Sequence, residues 1–285
     1  MQKFLATLAL CFLAQASSAQ TWVRVNYDTG AGTPVEQLDA VLRTPPEGAA
    51  NGQALLILHH GGGFSFNTTQ QYGEFFSRRG FVTLELKMFN EHAQEPPPMV
   101  TRGQMMGGLK YLAQMPGVRQ VSAMGMSLGA FMTLDASTAW FYEQYQAGAL
   151  RFHKLAALYP VCWFYAEAVQ GKAGDLRPFA KMPPDFFQRW AGIPLLILAA
   201  GKDSYDGANP QACPQFVNSL PDPHQAQMTR VEVFPEATHG WDHGRTYSFP
   251  VRGGCVGRRH CTNTIVSSPE TVELGKRKVL EFLLQ

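Results

Sequence analysis

Residues 118–139 read VRQVSAMGMSLGAFMTLDASTA, and the fold turns on how this stretch divides. Val118–Met124 has the apolar character of a buried strand, and Leu128–Ala139 has the spacing of a helix. Between them, Gly125-Met126-Ser127-Leu128-Gly129 matches G-x-S-x-G. That pattern carries meaning only at a strand-to-helix turn. There a serine stands on a sharp, strained backbone with its hydroxyl above the sheet, and small residues two before and two after avoid collision with neighbouring backbone. The helix that follows aims its N-terminus at any negative charge that develops beside the serine. Ser127 is therefore the candidate nucleophile.

Working outward, the same alternation repeats. Val35–Leu42, Ala54–Leu58, Phe81–Leu86, Leu155–Tyr159, Pro194–Ala200 and Thr229–Phe234 read as strands. Helical stretches fall at Gln70–Arg79, Met99–Ala113, Ala212–Leu220 and Pro269–Leu284, the last with Ser268 as its cap. Strand–helix alternation predicts an α/β fold, a mostly parallel central sheet with helices on both faces. No linker or repeat divides the chain, so a single domain is expected over 20–285. Two long irregular stretches, Cys162–Gly192 and Trp241–Ser268, are expected to shape a site. The first holds Trp163, Phe164, Phe179 and Phe187. The second holds Arg245, Arg252, Arg258 and Arg259, candidates to line a pocket.

Composition narrows the function. An apolar fraction of 45% with 16% charged residues excludes disorder, and a formal charge of +2 gives no basic excess for engaging phosphates. Nucleic acid is therefore not an expected partner.

A serine hydroxyl needs a base to take its proton, and the base needs an acid to orient it. His239 follows the Thr229–Phe234 strand closely and is the expected base. His243 lies four residues on, but Gly240 makes a metal-binding helix there unfavourable. The acid is expected after Pro194–Ala200, where Asp203 and Asp206 both lie, and Asp203 is preferred as the nearer to the strand end. His59-His60-Gly61-Gly62-Gly63-Phe64 follows Ala54–Leu58 directly. Its glycines allow close backbone approach, so the Gly62 and Gly63 amides, with Phe64 in reserve, are expected to join that of Leu128 as an oxyanion hole. His60 is expected to orient this loop. The set requires no metal and no organic cofactor.

The N-terminus reads as a cleavable export signal over 1–19: Lys3, the apolar run Phe4–Ala14, then Ser17-Ser18-Ala19. The run is too short to span a membrane, and no stable membrane association is expected. Its removal takes Cys11 with it and leaves Cys162, Cys213, Cys255 and Cys261, which in a secreted or periplasmic chain favour disulfides. Proximity pairs Cys255 with Cys261 and leaves Cys162 for Cys213. Zinc at Cys255, His260 and Cys261 is the rival reading.

The order Ser127, Asp203, His239 with the glycine loop resembles the α/β-hydrolase superfamily. Within it, Tyr159-Pro160, Gly201-Lys202-Asp203 and Ala237-Thr238-His239 resemble landmarks of the dienelactone hydrolase family. The resemblance spans roughly Val35 to the C-terminus. It implies an α/β-hydrolase fold and hydrolysis of small-molecule esters. Two departures stand out: the family proper has a cysteine where this chain has Ser127, and a glutamate in the loop that here reads His-His-Gly-Gly-Gly. Both point to a serine esterase on that scaffold. A peptidase, amidase or acyltransferase would use the same residues, and a binding protein on a hydrolase scaffold is the reading of another class.

Overall fold

Ala54–Leu58 is apolar at every position because its strand, β3 (Gln53–Leu58), is fully buried on both faces. The computed structural model describes residues 19–172, 183 and 185–285. The expected leader, apart from Ala19, and Phe179 therefore lie outside the described residues. Around β3 assemble β1 (Ala19–Tyr27), β2 (Glu36–Thr44), β4 (Val82–Leu86), β5 (Gln120–Met126), β6 (Leu155–Leu158), β7 (Leu195–Ala200) and β8 (Thr229–Phe234). The sheet order is β1-β2-β4-β3-β5-β6-β7-β8. All strands from β4 to β8 in that order are parallel, and β2 and β1 extend the sheet antiparallel at one end.

Alternation along each strand sends side chains to two cores. Leu55 and Ile57 pack with Tyr72 and Phe76 of α1 (Phe66–Ser77) and with Val279 and Phe282 of α8 (Pro269–Leu284). Leu56 and Leu58 point the other way. They join a cluster with Met105 and Leu109 of α2 (Pro98–Ala113), Met132 of α3 (Leu128–Asp135) and Phe216 of α6 (Ala212–Asn218). The expected α/β fold with helices on both faces is what the chain adopts. Among the described residues no helix is long and apolar enough to cross a membrane.

Three differences from the sequence reading have physical causes. Strand β1 has no strand signature in the sequence: it is an edge strand, and only Val25 and Tyr27 of it are buried, so it carries no apolar run. The expected helix Leu128–Ala139 stops at Asp135. There the Ser137 and Thr138 hydroxyls donate back to the Leu134 and Asp135 carbonyls, and Thr138 then caps the short α4 (Ala139–Gln144). Trp241–Ser268 is not irregular: β9 (Tyr247–Cys255) and β10 (Arg259–Ile265) pair antiparallel as a separate ribbon. Disulfides join Cys255 to Cys261 across that ribbon, and Cys162 of α5 (Cys162–Glu167) to Cys213 of α6. With both thiols consumed, Cys255 and Cys261 are not zinc ligands.

Candidate active site

Strand β5 ends at Met126, and the chain reverses into α3 within one residue. Ser127 occupies that corner at φ 50° and ψ −103°, a conformation that side-chain-bearing residues rarely adopt. Two glycines make the corner possible. A Cβ on Gly125 would lie 2.1 Å from the Gly129 carbonyl oxygen, and one on Gly129 would lie 2.4 Å from that of Leu58. The turn is held from outside as well: the Ser127 N–H donates to the Leu158 carbonyl (3.1 Å), and the Gly129 N–H to that of His59 (3.2 Å).

His239 comes from the turn after β8, and Asp203 from the loop after β7. Both are almost completely buried. His239 Nδ1 lies 2.7 Å from Asp203 Oδ2, and Nε2 lies 2.8 Å from Ser127 Oγ. A carboxylate can only accept, so Nδ1 carries the proton. In the neutral ring Nε2 is then an acceptor, and the Ser127 hydroxyl donates to it. The chain Oγ–H···Nε2, Nδ1–H···carboxylate can move a proton from the serine to the imidazole and offset the resulting cation.

Asp206 is placed differently. Its carboxyl accepts the Cys162 and Trp163 amides (3.1 and 2.8 Å) at the start of α5. Burial, and then the nearby Asp203 charge, push it up to about 8. Of the two acids weighed from sequence, Asp203 meets His239 and Asp206 fastens the helix beside it.

The glycine loop is arranged in a way the sequence did not disclose. The Gly62 N–H donates to His60 Nδ1 (2.9 Å), the Gly63 N–H to the His60 carbonyl (3.2 Å), and the Phe64 N–H to the Phe89 carbonyl (2.9 Å). The amides read as oxyanion donors are thus committed within and beside the loop. Gly61, which that reading passed over, borders the cavity with Ser127 and Leu128, and its Cβ position lies 4.0 Å from that of Leu128. Leu128 itself is in the first turn of α3, where amides have no intrahelical acceptor. No local pattern singles out Gly61, because the choice depends on the His60 ring folding back over Gly62. That ring stacks on His243 at 4.1 Å, and burial, then His243, lower it to about 3, so it stays neutral and can accept. His243 Nδ1 is meanwhile 2.8 Å from the Tyr247 hydroxyl, and both ring nitrogens of His239 are engaged, so the two do not form a metal pair.

The cavity over Ser127 has a volume of about 640 Å³. Phe131, Met132, Val161, Phe164 and Tyr205 give it an apolar wall, and Pro96–Pro98 border it as well. The rim carries Arg252 and Arg258 from the β9–β10 ribbon, whereas Arg245 borders a separate cavity beside His60 and His243. The ribbon is seated on the acid loop and on α5: the Val256 N–H donates to the Tyr205 carbonyl (2.7 Å), and Trp163 Nε1 of α5 donates to that of Gly254 (3.2 Å).

No family model matches the sequence, and no curated protein does. Solved structures do. Est1E from Butyrivibrio proteoclasticus is 16% identical over 92% of this chain and 97% of its own, with a TM-score of 0.58. A protein assigned as a dienelactone hydrolase from Klebsiella pneumoniae is 14% identical over 94% and 99%, with a TM-score of 0.60. An acylaminoacyl peptidase from Pyrococcus horikoshii is 12% identical over 81% of this chain but only 39% of its own, with a TM-score of 0.54. The fold is that of the α/β hydrolases, in agreement with the resemblance drawn from the motifs.

Proposed function

We propose that this chain is an exported serine hydrolase that cleaves carboxylic esters of small molecules, on a scaffold of the dienelactone hydrolase kind. The hydrogen-bonded chain from Ser127 Oγ through His239 to Asp203, with Ser127 on a strained corner open to a cavity, carries the reading. His239 takes the serine proton as Oγ adds to the ester carbonyl, and Asp203 stabilises the imidazolium. The oxyanion that forms is met by the Leu128 N–H and, in place of Gly62 and Gly63, by that of Gly61. His239 returns the proton to the leaving alkoxide, and water then releases the acid from the acyl-enzyme with His239 again as base. Acyl transfer by these groups calls for no metal or organic cofactor. An aromatic ester suits the Phe131, Phe164 and Tyr205 wall, and one of the similar solved structures is of ferulic acid bound to Est1E. Export rests on the 1–19 reading together with two disulfides.

Ser127→Ala tests the assignment. On aryl esters kcat should fall by about 10⁴-fold or more, with the variant folded by circular dichroism. A variant that keeps near-wild-type turnover overturns it. A fluorophosphonate adduct on Ser127 of the folded wild type separates the enzyme from a binding protein, and matched ester and amide substrates separate esterase from amidase.

A further inference from the structure

One dipeptide at the end of β6 touches both reacting residues. The Leu158 carbonyl accepts the Ser127 amide, and the next residue, Tyr159, sets its ring edge-on to the His239 imidazole, with centroids 5.0 Å apart and planes at 70°. Tyr159 is fully buried and does not border the cavity, so it is not a substrate contact. Its backbone is at φ 40°, a left-handed conformation that a bulky residue keeps only when its surroundings enforce it. Those surroundings are on both sides of the ring. The Tyr159 N–H donates to the Leu198 carbonyl (2.8 Å), and its hydroxyl donates to Asp242 Oδ1 (2.6 Å). Asp242 Oδ2 accepts the Tyr72 hydroxyl from α1 (2.9 Å), and Trp241 packs edge-on to Tyr159 at 4.7 Å.

Neither Tyr159 nor Asp242 gives or takes a proton in the acyl-transfer steps set out above. Asp242 is wholly buried, is paired with no cation among the described residues, and follows His239 by three residues in the same turn. Placing a carboxyl there is unfavourable, and burial pushes its ionisation up, against the Tyr159 and Tyr72 hydroxyls and the nearby His60. What the carboxyl gains in that position is two phenols in fixed orientation, one of them against His239.

We propose that Tyr159, anchored through its hydroxyl to Asp242, is a positioning residue that holds the His239 imidazole in line between Ser127 and Asp203. The inference rests on the reading of His239 as the base. A ring that can swing keeps its hydrogen bond to Asp203 but loses alignment with Oγ, and misplacement on that scale is costly to the chemical step rather than to binding.

The test compares three variants with the wild type on a neutral aryl ester, with melting temperatures recorded. Tyr159→Phe keeps the ring and removes the anchor, and kcat is expected to fall about 10-fold with KM unchanged. Tyr159→Leu removes the ring edge as well, for an expected fall of about 100-fold. Tyr142→Phe, a buried tyrosine of α4 whose ring packs against Arg151 ahead of β6, at the sheet end opposite Ser127, serves as control and should keep kcat within about twofold. If Tyr159→Phe retains wild-type kcat, raises KM instead, or matches Tyr142→Phe, the proposal is overturned; if Tyr159→Leu fails to fold, the Phe comparison decides alone. His239→Ala, run beside them, separates the two layers. Should it retain turnover, the reading of the base fails, whatever the tyrosine variants do.

Discussion

Asp203 and Asp206 sit three residues apart on one loop, yet their surroundings give them opposite behaviour. Asp203 faces an imidazole N–H, while Asp206 is buried against α5 with Asp203 as its charged neighbour, which moves it from an ordinary 3.8 to about 8. A carboxyl whose folded value lies above its unfolded one contributes stability below the unfolded value, and that contribution is lost as the pH rises through the folded value. Asp206→Asn retains a side-chain oxygen and cannot ionise. The variant should therefore gain stability relative to wild type between about pH 4 and about pH 8, and gain no more above that window. Urea midpoints at about pH 5, 7 and 9 check the trend, and a difference that stays constant with pH refutes it. At this scale much of the site was legible. The order of Ser127, Asp203 and His239, each just past a strand, follows from the requirement that groups converge at one edge of a parallel sheet. Gly61 was not legible, because the turning of the Gly62 amide to His60 Nδ1 is a side-chain event within a run of identical residues. Nor was the role proposed for Tyr159, legible only as part of the Tyr159-Pro160 landmark, because its partner Asp242 is distant in sequence and carries no motif.

The elements that were easy to read carry an apolar run or a clear periodicity. β3 and β7, buried almost throughout, appear as apolar runs, the edge strand β8 as alternating β-branched residues, and α8 as an amphipathic helix opened by Ser268, whose hydroxyl accepts the Thr271 N–H (3.2 Å). The β9–β10 ribbon has the opposite signature. It is exposed or half-buried along most of its length, holds Pro250, Gly253 and Gly254, and is defined by its pairing and its disulfide rather than by burial. The two disulfides should differ in what they contribute. Cys162–Cys213 spans 51 residues and fastens α5, which carries Phe164 of the cavity wall, whereas Cys255–Cys261 spans 6. On loop-closure entropy, replacing the first pair by alanine should cost about 4 kcal/mol, and replacing the second about 2 kcal/mol. Chemical denaturation of the two double variants measures the difference. An equal cost would mean that strain or residual denatured-state structure outweighs loop length.

Across the whole molecule, the cysteine count, the leader and the sheet edge bear on one another. Five cysteines are present and two disulfides use four, which leaves Cys11, within the expected leader. The expected cut falls within the described part of β1. Ala19, the last residue before it, pairs with Thr44, while Gln20 pairs with Arg43 and accepts a hydrogen bond from its guanidinium (2.6 Å). Cleavage after Ala19 would keep every pairing from Gln20 to Tyr27, so processing is compatible with an edge strand paired over those residues. The chain recovered from an oxidising compartment should then begin at Gln20 and show no reactive thiol after denaturation without reductant. A chain that keeps its leader should show one. Intact mass and thiol titration on the same sample separate these outcomes, because the mass reports the cut and the two disulfides while the titration reports Cys11. A processed chain with reactive thiols would show that the disulfides do not form. An unprocessed chain with one thiol would show that the leader stays, and export by cleavage would fail even though both disulfides hold.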